Sequence, residues 1–205
     1  MIFNNNSFSQ EKIPLPQPSK KGKQSFEEVI NIRKSIRDYS QEALTKAELS
    51  NLLWAAYGKN SYRKTVPSAG ALYPIVIYLI AGKVKDLSQG VYRYDADRHC
   101  LIKNSDKDVR EDLTRAALSQ DCIKEAPVII AICARYEITA SKYGERGTRY
   151  VHIETGHVAQ NIYLQAVNLR LGTVAVGAFY DEQVKKILDI EEEPLLLMPV
   201  GKPYS

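Results

Sequence analysis

The chain has 205 residues, 44% of them hydrophobic and 25% charged, with a formal net charge of +4. That length supports one domain with its own core, while basic residues interleaved with acidic ones argue against a nucleic-acid-binding stripe. Cys100, Cys122 and Cys133 have neither the number of a disulfide framework nor the spacing of a zinc ribbon, which fits a reduced, cytoplasmic setting, and no apolar stretch reads as a signal peptide or membrane span.

Residues 1–24 are polar and punctuated by Pro14, Pro16 and Pro18, which predicts an extended N-terminal arm ahead of a single domain over 25–205. Ser25 and Glu28 have the spacing of a capping box, and Phe26, Val29, Ile30 and Ile32 predict a helix ending near Ser35. A second box, Thr45 with Glu48, opens a helix through Leu49, Leu52, Leu53 and Ala56 that stops at Gly58. Residues 67–74 form a loop of small residues, and Ile75 to Ile80 is a strand apolar on both faces, hence central in a sheet. A hairpin over 91–94 and 99–102, a helix over 106–119 and a buried strand over 128–133 follow. A long helix over 150–171 closes at Gly172; a strand over 173–176, a short helix over 181–188 and a last strand over 195–200 complete the chain. This alternation predicts an α+β domain with a mixed central sheet flanked by helices.

The chain lacks the glycine fingerprints of a Rossmann site and a P-loop, and the nucleophile elbow of serine hydrolases. His152 and His157 lie five residues apart on the long helix, too far around its axis to hold a metal together, and His157 is expected to be a hydrogen-bonded core residue. Arg33, Lys34, Ser35 and Arg37 concentrate three cations and a hydroxyl. Their ordinary role is to complement the negative end of a helix; their functional role is to grip an anion such as a phosphate. Pro67, Ser68, Ala69, Gly70 and Ala71 offer backbone without bulk, and Val176, Gly177 and Ala178 offer donors after a strand. Glu154 reads either as an interface carboxylate beside Arg or Tyr partners or as a catalytic acid.

Taken in order, RKSIRDYS, PSAGALYP, GVYRYD with His99 after it, RYVHIETGHVAQNIYLQAVNLRLG, TVAVGAFYDEQVKKILDI and PVGKP resemble the nitroreductase-like flavoprotein family from about Ser25 to Pro203. PSAGALYP with IETGHVAQN is most like the SagB-type branch, which includes the azoline dehydrogenases of thiazole and oxazole peptide biosynthesis. The resemblance implies an intertwined homodimer with FMN at the subunit interface. It also implies NADH or NADPH as electron donor and a nitroaromatic, quinone or similar acceptor reduced by ping-pong exchange. Dehydrogenation of a heterocycle in a modified peptide, and flavin binding without turnover, are the alternatives.

By position, Arg33 and Ser35, flanking Lys34, match residues that hold the FMN phosphate and ribityl chain, and Arg37 matches a cation near the N1/O2 edge of the ring. Pro67, Ser68 and Ala69, continued by Gly70 and Ala71, match a loop laid against the flavin by the other subunit. Gly177 and Ala178, after Val176, match backbone donors near N5 and O4, and Lys202 resembles a late basic residue that reaches the phosphate. Lys142 and Tyr143 resemble the Lys-Tyr pair of the azoline dehydrogenases, where a desolvated Lys beside a Tyr serves in proton removal. Their ordinary reading is a solvated Lys and a Tyr anchoring the helix entry, in a loop that Gly144 and Gly147 leave mobile.

Overall fold

The computed structural model describes residues 11–204. Strands β1 (Lys12–Pro14), β2 (Ile75–Ala81), β3 (Gly90–Asp95), β4 (Cys100–Ser105), β5 (Val128–Ala134), β6 (Gly172–Thr173) and β7 (Glu193–Gly201) form one sheet. Their order is β1-β4-β3-β2-β5-β7-β6. The helices are α1 (Phe26–Ile32), α2 (Lys46–Tyr57), α3 (Arg110–Ala116), α4 (Cys122–Glu125), α5 (Tyr136–Tyr143), α6 (Arg146–Asn168) and α7 (Asp181–Leu188).

Alternation along the strands builds two cores. Ile75, Ile77 and Leu79 of β2, with Val128, Ile130 and Ile132 of β5, point to one face and pack with Leu49, Leu52 and Leu53 of α2 and Val151, Val158 and Ile162 of α6. Tyr78 and Ile80, with Ile129, Ala131 and Cys133, point to the other and meet Leu113 of α3, Ile123 of α4 and Val184 and Leu188 of α7. The sheet is thus sandwiched between helical layers. Every ladder in it is antiparallel, where a mixed sheet was expected. Burial on both faces usually marks parallel strands; here helices cover both faces of antiparallel ones and impose the same pattern.

Both capping boxes form, at Ser25 and Thr45. Helix α1 ends at Ile32 rather than near Ser35, and only Val29 of its apolar residues is buried. The segment expected as a mobile loop around Lys142 and Tyr143 is the end of α5, and Gly147 lies inside α6, where its Cα is pressed against the Ala140 backbone. The expected strand over 173–176 is shorter: β6 pairs with β7 only at Gly172 and Thr173, and Val176 rejoins by a single bridge to Leu197. His157 is exposed, which corrects its assignment to the core: it lies on the side of α6 opposite Val151, Val158 and Ile162. Of the arm over 1–24, residues 1–10 lie outside the described part. Lys12–Pro14 extend the sheet edge beside β4, Ser19 N–H donates to Asn51, and Lys23 N–H donates to Asn168.

Candidate functional site

Two groups of residues gather on α6, on opposite sides of it. The first begins where α1 stops at Arg33, whose backbone turns extended (φ −59°, ψ 125°). The following segment docks on the sheet edge. Ile36 N–H donates to the Thr173 carbonyl, Ser40 N–H donates to the Lys202 carbonyl, and the Tyr39 hydroxyl donates to the Ile36 carbonyl at 2.6 Å. Ile36 packs over Gly172, where a Cβ would lie 2.7 Å from it, so the glycine makes room for the segment. Ser35 and Arg37 are left facing outward and exposed.

Arg33 lies over the Tyr163 ring, 5.0 Å from its centroid, and the Ser35 and Tyr163 hydroxyls are 3.0 Å apart. The Tyr163 oxygen accepts from Ala175 N–H at 2.8 Å, so this tyrosine ties the Arg33–Ser35 segment to the strand end that leads into Gly177 and Ala178. Those two residues are exposed, and among the described residues their N–H groups have no backbone acceptor. Nor do Arg33, Lys34 and Arg37 have any carboxylate partner there, and the last turn of α1 carries no basic residue. Three cations, a hydroxyl and free N–H groups facing solvent make a donor set suited to an anion with a polar tail. Lys202 differs, because its Nζ donates to Glu42 at 2.7 Å.

The second group surrounds the 67–71 loop. Gly70, Ala71 and, just beyond the loop, Tyr73 all have positive φ (59°, 55° and 54°), which strains the two non-glycine residues. Left-handed non-glycine residues cost roughly 1 kcal/mol or more each, and such strain gathers at functional sites. The Ser68 hydroxyl accepts from Tyr73 N–H at 2.9 Å and pins the turn. A Cβ on Gly70 would stand 2.9 Å from the Tyr143 hydroxyl and 3.0 Å from Lys142 Nζ, so the Lys-Tyr pair lies directly on this loop. Lys142 is exposed and Tyr143 half-buried, stacked edge-on against Tyr150.

Beneath the loop is Glu154, only 2% exposed. The Tyr57 hydroxyl donates to its Oε1 at 2.8 Å and in turn accepts from Ile75 N–H. Burial pushes the Glu154 carboxyl above its ordinary range, against the pull of the hydrogen bond from Tyr57. Lys64 sits over the Tyr57 ring at 4.7 Å, and burial pulls its ammonium below the usual lysine range. Glu154 therefore has its Tyr partner inside its own chain. Sequence reasoning passed over Tyr57, Lys64 and Tyr163, since nothing in their local pattern separates them from core or surface residues.

Glu154 and Tyr163 are nine residues apart on α6, about 14 Å along the axis and half a turn around it. One compact pocket of one chain cannot contain both. Between the two flanks runs a face with Arg149, Ile153, Gly156, His157 and Gln160 exposed. Nothing stands within 4 Å of where a Gly156 Cβ would be, and the neighbouring α1 exposes Phe26, Ile30 and Ile32. No helix among the described residues is long and apolar enough to cross a membrane.

Comparison with known proteins identifies the family of the chain. A protein of Methanocaldococcus jannaschii provisionally named a nitroreductase is 52% identical over 179 residues, covering 86% of this chain and 90% of its own. The microcin B17-processing protein McbC of Escherichia coli is 28% identical over 200 residues, 86% of this chain and 73% of its own. A crystal structure from Anabaena variabilis, also provisionally named a nitroreductase, superposes with a TM-score of 0.86 at 28% identity over 95% of this chain. This chain spans only 42% of that longer one. The nitroreductase family profile matches residues 30–202, and the chain belongs to that family.

Proposed function

We propose that this chain is an FMN-dependent oxidoreductase working as a homodimer, taking electrons from NADH or NADPH and passing them to a small acceptor such as a nitroaromatic or quinone. The observation that carries the reading is the placement of two half-sites on opposite flanks of one open helix face. A two-fold axis through that face sets the Tyr163 flank of one subunit against the Glu154 flank of its partner. Each site then takes its cations from one chain and its 67–71 loop from the other. Burial of Phe26, Ile30, Ile32 and Ile153, all about half exposed or more, supplies an apolar contribution to pairing.

The residues present fit the cofactor. Arg33 and Ser35, with Lys34 beside them, hold the phosphate and ribityl chain; Lys202 joins them only by releasing Glu42. Arg37 stabilises negative charge at the ring edge, and the small residues of the loop let a flat ring approach. Bound there, FMN supplies the electron transfer that no side chain can perform. The test is reconstitution: the purified protein should take up FMN, turn yellow and bleach on anaerobic addition of NADH or NADPH. A protein that stays colourless after incubation with FMN sinks the reading, and one that binds FMN without reduction is a flavin-binding protein only.

A second reading, dehydrogenation of a heterocycle in a modified peptide, is favoured by one observation, the contact of Lys142 and Tyr143 with Gly70. The sequence likeness to McbC supports it. The variants Lys142→Ala and Tyr143→Phe separate the two. If acceptor reduction is the activity, both keep NAD(P)H bleaching and reoxidation by a quinone near wild-type rates; a large loss with flavin still bound favours the dehydrogenase.

A further inference from the structure

β6 is the outer strand of the sheet, so backbone groups on its free side need partners from elsewhere. Ile36 N–H donates to the Thr173 carbonyl at 2.9 Å, and the Tyr163 hydroxyl oxygen accepts from Ala175 N–H at 2.8 Å. That hydroxyl also lies 3.0 Å from the exposed Ser35 hydroxyl. A phenol oxygen that has accepted from an amide still has its own proton to place, and Ser35 is its other hydrogen-bond partner among the described residues. If Tyr163 donates to Ser35, the Ser35 proton is free to point outward. An anionic oxygen in front of Ser35 requires that order, because it accepts and cannot donate. Ala175 N–H, Tyr163 O–H and Ser35 O–H then form a row, each donating to the next and the last to the anion. Bonds in such a row strengthen one another.

We propose that Tyr163 is a positioning residue that fixes the Ser35 hydroxyl as a donor to a phosphate monoester and links occupancy of that position to the Ala175 backbone, two residues before Gly177. The inference rests on the FMN reading above and deepens it, because it gives the phosphate end of the half-site a means of acting on the segment that carries the ring-end donors. Between β6, which ends at Thr173, and the single bridge of Val176 to Leu197, the Ala175 N–H is held by Tyr163. A bond there that tightens when phosphate arrives steadies the backbone leading to Gly177 and Ala178. Arg33 lies over the same ring, 5.0 Å from its centroid, so one side chain places both the guanidinium and the hydroxyl. Phenylalanine at this position keeps the platform for Arg33 and removes the hydroxyl alone, which separates the relay from the packing.

Two measurements test this. In the cofactor-free protein, millimolar inorganic phosphate followed by NMR should shift the Ala175 amide resonance, and Ser35→Ala and Tyr163→Phe should each abolish that response. In binding titrations, each variant should weaken FMN roughly fivefold to tenfold and leave riboflavin, which has no phosphate, unchanged. The double variant should be no weaker than either single one, because both break the same relay. An Ala175 amide that ignores phosphate in wild type or still responds in either variant overturns the proposal. So do equal losses for FMN and riboflavin, or losses that multiply in the double variant. A wild type that binds no FMN while its Ala175 amide responds to phosphate sinks the functional reading alone.

Discussion

Two buried glutamates respond to pH with opposite sign. Glu154 is held above its ordinary value of 4.5, chiefly by burial. Its contribution to stability is full below that value and is lost as pH rises through the folded-state value. Burial would raise Glu192 too, but hydrogen bonds from the Tyr78 hydroxyl and from Arg135 overcome it and hold that carboxyl below 4.5. Its contribution is present above 4.5 and lost as pH falls. Urea unfolding should therefore show Glu154→Gln gaining on wild type as pH rises from about 4 to about 7. Glu192→Ala should cost about 1–3 kcal/mol at neutral pH, mostly for the orphaned Tyr78 hydroxyl, and less in acid. Arg135 is half exposed, so its charge adds little to that figure. At the other half-site, Arg33→Ala should weaken FMN retention, whereas Arg37→Ala should slow reduction more than it lowers occupancy; equal, unchanged values for both would return these cations to a helix-end role. The residue types of each half-site were legible as short runs, RKSIR and PSAGA. That Lys142 reaches Gly70, or Tyr163 reaches Ser35, was not, because such contacts join segments 72 and 128 positions apart and depend on how helices pack.

At the scale of elements, α1 is the weakest support of the site. It has seven residues and buries one side chain, so its capping box carries an unusual share of its stability. Ser25→Ala should cost about 1 kcal/mol there. Hydrogen exchange should register it as faster opening of α1 with β2 and β5 unaffected, and FMN should be held less tightly because Arg33 follows directly. The helix starts were readable because a capping box is local chemistry. Helix α5 was hidden by Gly144, whose left-handed φ of 54° ends it, and by Gly147, which lets α5 and α6 touch backbone to backbone. Strand sense was illegible for a related reason. Val128 to Ala134 is buried at every position, and such a strand looks alike in either direction.

For the whole molecule, the outward face of α6 is the decisive surface. The sequence could not show which side of this helix faced out, and His157 was misplaced as a result. Ile153→Asp changes an exposed side chain and should leave the fold intact while placing two charges against each other across the proposed two-fold. Sedimentation should then find monomers, with FMN lost in parallel; a flavin-loaded monomer would refute shared sites. The proposed division of each site between opposite flanks of one helix has a genetic consequence. A chain spoiled at the cation flank by Arg33→Ala and a chain spoiled at the loop by Gly70→Val each form dimers with two defective sites. Mixed together after dissociation, they should exchange subunits, and every hybrid should unite the undamaged flanks into one sound site while gathering both lesions in the other. Two inactive preparations should thus regain roughly a quarter of the full flavin content on random reassortment.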